Sequence, residues 1–207
     1  MPDIDDMGFV NRTQGVCGFA AALYALYAHS PTLKDQQALS DAARWDTRIA
    51  AEIKTYLMIL KAERNERLLG MIQTFCAGYP GLGGFTMSGY IEKINSIPEN
   101  VPVGASMADK EISVTIALPP PVLADYLRRV CGFRNATEVA ADNGRNELIV
   151  GVQKGDPAYT MYGGLCHYIY RLGGTWYTWG GRAGSLEQLN RDYDRRYVPC
   201  CYVSPVG

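Results

Sequence analysis

The sequence predicts an α+β fold, with helices leading and an antiparallel sheet following. Three observations carry this. Apolar residues recur at helical spacing through the first third of the chain. A glycine-rich stretch, GYPGLGGFTMSG at 78–89, then interrupts the pattern. Beyond it the rhythm shortens to the two-residue alternation of strands.

The first helix runs from Cys17 to about Ala28. In CGFAAALYALYAH only Gly18 opposes helix, and apolar residues lie on every face, so the helix is expected to be buried all round. Ser30-Pro31 ends it. A second helix follows Asp46 or Thr47, with Ile49, Ile53, Tyr56, Leu57 and Leu60 on one face and Arg48, Glu52, Lys54 and Lys61 on the other. A third covers about Glu66 to Cys76 through Leu68, Leu69, Ile72 and Phe75. The 78–89 stretch reads as a loop, a lobe boundary or a cleft rim.

Ile112, Val114, Ile116 and Leu118 then alternate with Ser113, Thr115 and Ala117, which predicts a strand. Pro119-Pro120-Pro121 stops it and opens a helix over VLADYLRRV. Asn135 with Glu138 reads as a capping box for a short helix ended by Asn143-Gly144, which also makes the Asn135-Ala136-Thr137 sequon a helix cap. ELIVGV, HYIYRL and TWYTWG are expected as strands, the last two joined in a hairpin at Gly173-Gly174. RYVPCCYV adds a last strand. The expected organisation is one domain over 1–207, with a helical lobe over about 1–88 and a sheet lobe over about 89–207.

The chain has 207 residues, 47% of them hydrophobic and 20% charged, and a formal net charge of -1. No global pull toward nucleic acid or a membrane surface is expected. The N-terminus, MPDIDDMGFV, lacks the apolar run of a secretory signal, and no stretch is long and apolar enough for a transmembrane helix. The cysteines at 17, 76, 131, 166, 200 and 201 show no CxxC pair. A reducing, cytoplasmic environment is expected, with no metal and no cofactor.

Cys17 stands where the first helix begins, and the partial positive charge of a helix N-terminus stabilises a thiolate. A nucleophilic thiol needs an imidazole partner. There are two histidines. His29 lies at the other end of the same helix, roughly 18 Å away at about 1.5 Å per residue, and cannot reach. His167 opens a strand in the second half and can. Cys166 beside it is a rival nucleophile, but neighbouring strand residues point to opposite faces.

NRTQGVCGFAAALYAL resembles the nucleophile segment of papain-like cysteine peptidases, and among them the double-glycine peptidases that process bacteriocin leaders. ELIVGV followed by HYIYRLGGTWYTWGG resembles their histidine strand and hairpin. The order of helices and sheet is also similar to cysteine-protease effectors of type VI secretion. The resemblance implies a papain-like fold in which Cys17 attacks a peptide carbonyl and His167 shuttles the proton. It implies an oxyanion hole completed by a side-chain amide, with Asn11 at the family spacing and Gln14 closer to the cysteine. The third member, usually Asp or Asn after the histidine strand, falls near Thr178 to Gly180, where no such residue stands. Asn190 or Asp192 folding back, a backbone carbonyl, or a simple dyad are the alternatives. Narrow subsites for Gly-Gly, walled by the aromatic hairpin, are also implied. So are a protein substrate in the cytosol of a target cell, delivery without a signal peptide, a role in interbacterial competition, and an immunity protein blocking the cleft. Deamidation, acyl transfer, peptidoglycan amidase activity and a non-enzymatic adaptor are the rival functions.

Overall fold

A computed structural model describes residues 15–29, 45–96, 115–178 and 181–207. It is α+β. Among the described residues six helices, α1 (Cys17–His29), α2 (Trp45–Ala62), α3 (Glu66–Ala77), α4 (Met87–Ser96), α5 (Pro120–Arg129) and α6 (Leu186–Asp192), accompany six strands. These are β1 (Thr137–Val139), β2 (Glu147–Gln153), β3 (His167–Leu172), β4 (Thr175–Thr178), β5 (Gly181–Ala183) and β6 (Val198–Ser204). They form one antiparallel sheet in the order β1-β6-β2-β3-β4-β5.

Helix α1 packs against β3 and is buried at every position from Cys17 to Ala25, which explains its lack of a polar face. Its small residues let the strand approach closely: a side-chain carbon at Gly18 would stand 3.5 Å from the Tyr168 ring. At its other end His29 Nε2 lies 2.8 Å from Glu147 Oε2, and the Tyr170 hydroxyl donates to Glu147 Oε1 at 2.8 Å. Tyr24 stacks on Tyr170 between those points. The helix is thereby fixed along the sheet, and with it the position of Cys17.

Helices α2, α3 and α5 pack on the same side. The Ile49, Ile53, Tyr56, Leu57, Leu60 face is buried as its periodicity predicts. The α2–α5 contact is cross-tied, with the Tyr56 hydroxyl donating to Asp125 (3.0 Å) and Tyr126 to Glu52 (2.9 Å). The helices and one sheet face share a single apolar cluster; a smaller one on the other face joins Leu148, Val150, Val152 and Ile169 to Leu189 of α6. Because both faces of β2 are covered, its sequence is apolar without alternation.

Three expectations fail. Of the strand expected over 112–118, residues 112–114 lie outside the described residues, and 115–119 form no regular structure. Ile116, Ala117 and Leu118 are buried, but their backbone bonds to side chains instead of a ladder. Cys76 Sγ meets the N–H and the carbonyl of Ala117, and Tyr168 donates to the Leu118 carbonyl. The helix expected after Asn135 is instead β1, paired with the end of β6 (Thr137↔Ser204); an available strand edge outweighs a capping pattern with little apolar surface behind it. Finally, the loop expected over 78–89 is cut short by α4, which begins at Met87.

Strand β6 carries a bulge against β2: Gly151 pairs with Cys201, but Val152 pairs with Pro199. β1 covers only Tyr202–Ser204, so Pro199 sits where no β1 residue needs its missing N–H. A side chain at Gly151 would stand 2.2 Å from Cys201 Sγ and 2.8 Å from Leu165. Gly151→Ala is therefore expected to destabilise the fold by about 1–3 kcal/mol, read as a lowered denaturation midpoint with an unchanged m-value.

Candidate active site

Cys17 owes its position to Gly15. That residue has φ +86°, and a side chain on it would stand 3.1 Å from the backbone of Ile116. Only glycine makes this turn without strain. The turn delivers Val16, whose carbonyl accepts from Ala20 N–H, and α1 starts at Cys17. The thiol thus lies where the helix start, the first residues of β3, the 117–118 segment and the end of α3 converge.

His167 begins β3 and is buried. Its Nε2 lies 2.7 Å from the hydroxyl of Thr178, the last residue of β4, itself buried. The Gly173-Gly174 hairpin aligns the two strands; Gly173 has φ +60°. The Tyr197 ring stacks on the imidazole at 5.7 Å and 30°. Asn190, from α6, grips the backbone of Tyr197 twice, accepting from its N–H at 2.8 Å and donating to its carbonyl at 2.9 Å.

Cys17 and His167 line one small cavity with Gly15, Phe75, Tyr79 and Cys166. Its volume is about 10 Å³, room for a single water. Phe75, Tyr79, Tyr159 and Tyr162 meet edge to face around this region. Tyr79 donates its hydroxyl to the Cys166 carbonyl.

Burial decides the electrostatics. It pushes the Cys17 thiol up to about 12, against the pull of the Tyr168 backbone N–H; the Cys166 thiol pushes up further, and the N–H groups of Gly18 and Cys17 pull down. Burial likewise pulls the His167 imidazole down to about 3, and the Arg195 cation adds to this. The helix-start effect on the thiol is present but loses to desolvation. At neutral pH the pair rests as a neutral thiol and a neutral imidazole.

The structure therefore brings Cys17 and His167 to one cavity and keeps His29 away at Glu147. Asn11 and Gln14 lie outside the described residues. Neither Asn190 nor Asp192 is the partner at His167 Nε2, which is Thr178: Asn190 acts on Tyr197, and Asp192 is exposed at the end of α6. Cys166 also departs from expectation. It precedes β3, so strand alternation does not govern it; it lines the cavity, with its thiol 3.3 Å from the Val152 carbonyl. The aromatic walls are Phe75 of α3, Tyr79 just beyond it and Tyr168 of the hairpin strand β3, while the hairpin's Trp176 packs on the opposite sheet face beside Arg171.

The sequence signal for Thr178 is its place in the hairpin register, where its hydroxyl stands in for the usual carboxylate or amide. Tyr197 carried no signal, because its contact depends on the turn between α6 and β6. Among the described residues no cluster of His, Cys, Asp and Glu is arranged to hold a metal ion, and no helix is long and apolar enough to cross a membrane. No family model, no curated protein and no solved structure matches the chain.

Proposed function

We propose that the protein is a thiol hydrolase, a papain-like cysteine endopeptidase in which Cys17 is the nucleophile and His167 the proton shuttle. The observation that carries this reading is the shared cavity: a cysteine at a helix start and a histidine at a strand start both line it although 150 positions separate them in the chain. The histidine's far nitrogen is held by Thr178. For His167 to act as base, Nε2 carries the proton and donates to Thr178, and Nδ1 receives the proton of the thiol. The thiolate attacks the scissile carbonyl, the imidazolium protonates the leaving amine, and water resolves the thioester. The N–H of Cys17, at the helix start, is a donor for the oxyanion, with Asn11 or Gln14 as the second.

The narrowness of the cavity supports a preference for glycine beside the scissile bond. The resemblance of the sequence motifs to double-glycine peptidases and secreted effectors extends the proposal to a toxin that cuts a cytosolic protein of a target cell, opposed by an immunity protein over the cleft. The test is incubation of the protein and its Cys17→Ala form with whole-cell lysate, followed by sequencing of new protein N-termini. New N-termini that require Cys17 are expected. Equal yields from the two forms rule out the peptidase, and a one-dalton shift on glutamine without a cut assigns deamidation.

One observation favours a second reading, an adaptor that kept the fold: both polar groups are buried and neutral. A peptidyl electrophile separates the two. Labelling of Cys17 at neutral pH supports the enzyme, and an inert thiol supports the adaptor.

A further inference from the structure

We propose that Cys200 and Cys201 form an oxidation site, in which a hydroperoxide converts Cys200 to a sulfenic acid and Cys201 closes it to a disulfide between neighbours. Adjacent residues of a regular strand point to opposite faces and their thiols stay apart. Here the bulge in β6 inserts Cys200 between the pairs Gly151↔Cys201 and Val152↔Pro199. Both cysteines then pack against the helix-side core. Gly151 supplies the space, since Cys201 Sγ lies 2.2 Å from where a side-chain carbon on that glycine would stand.

Both thiols are free and only half-buried, so a small oxidant reaches them. The neighbouring Cys201 thiol holds the Cys200 thiol below its ordinary value and is itself raised, as burial raises those of Cys17, Cys76 and Cys166. A lowered, accessible thiol beside a second thiol is the arrangement from which redox-responsive cysteines work. The Cys200 thiolate attacks the outer peroxide oxygen, the O–O bond breaks, and the leaving oxygen takes a proton to become an alcohol or water. The Cys201 sulfur then attacks the sulfenic sulfur; hydroxide leaves and becomes water with the Cys201 proton. The hydroperoxide is reduced by two electrons and the chain loses two hydrogens. Neighbouring Cα atoms stand about 3.8 Å apart, closer than disulfides favour, so the bond is strained and dithiols reduce it readily. The site also abuts the segment that leads to Cys166 and His167: a side-chain carbon at Gly163 would stand 3.3 Å from Cys200 Cβ.

The test treats the reduced full chain with graded hydrogen peroxide, alkylates free thiols and digests with trypsin. Cleavage after Arg196 gives a peptide spanning 197–207 whose only cysteines are these two. That peptide is expected to lose two hydrogens, to escape alkylation at peroxide levels that leave Cys17 and Cys166 alkylated, and to recover with dithiothreitol. In Cys201→Ser, dimedone is expected to trap a sulfenic acid on Cys200. The proposal is overturned if the peptide stays doubly alkylated while other cysteines oxidise, or if Cys200 is found joined to Cys166 or to a second chain. Because the readout is mass, it stands or falls independently of peptidase activity.

Discussion

His167→Gln is expected to lower peptide hydrolysis by about 10²–10⁴-fold with little change in KM, since a positioned proton carrier contributes on that scale and does not bind substrate. Glutamine keeps a polar group beside Thr178, so the circular dichroism of the variant should match the parent. Thr178→Val is the more telling change. It keeps the shape of the side chain and removes the hydroxyl 2.7 Å from Nε2. The ring then loses the contact that selects its tautomer, and a hydrogen bond worth about 1–1.5 kcal/mol corresponds to about a tenfold loss in kcat. The acid limb of the pH–rate profile should move as well. Thr178→Ser restores the hydroxyl and should restore both quantities. A Thr178→Val enzyme with the parent's kcat and an unshifted profile refutes the assignment of Thr178 as the group that positions the base.

That Thr178 holds this place bears on what a sequence can disclose. The helices with strong apolar stripes, the buried strand ELIVGV and the glycine hairpin follow from local periodicity and turn chemistry, and they stand where those rules put them. Cys17 and His167 were legible because each begins an element, and element starts are what the pattern marks best. Asn135 was misread because a capping box and a strand that borrows a neighbour's edge look alike until the neighbour is known; β6 lies more than sixty positions away. Ile116, Ala117 and Leu118 are all buried, yet the Leu118 carbonyl accepts from Tyr168 and the N–H and carbonyl of Ala117 serve Cys76. Apolar residues here report burial, not a ladder. The burial of Cys17 and His167 is also hidden from the sequence. The helix-start argument is correct in sign, but whether it prevails depends on how much protein covers the sulfur, and that is a property of the assembled fold.

That covering leads to the second large effect, on stability against pH. His167 titrates near 6.5 when free and near 3 when folded. Between these values the unfolded chain binds the proton and the folded chain does not, so the contribution of this residue is complete above about pH 6.5 and is lost as pH falls toward 3. Cys17 works from the other side. Its thiol is raised from 9.0 to about 12, so the folded chain keeps a proton that the unfolded chain releases, and stability is lost as pH rises from 9 toward 12. Each limb is worth on the order of 4 kcal/mol when integrated. Denaturant unfolding should therefore show a dome, flattened on its acid side in His167→Gln and on its alkaline side in Cys17→Ala. Variant curves parallel to the parent from pH 6.5 down to 4 and from pH 9 upward would mean that water already reaches both groups. The same burial sets a condition on catalysis. Moving the thiol proton to the imidazole inside the closed cavity costs on the order of 10 kcal/mol before the attraction between the new ions is counted. In the proposed mechanism turnover then requires Phe75 and Tyr79, which line the cavity, and Tyr197, which stacks on the imidazole, to part when a peptide enters, so that the groups ionise only in the presence of substrate. A peptide ligand should accordingly raise the rate at which a small electrophile modifies Cys17, where simple occlusion would lower it.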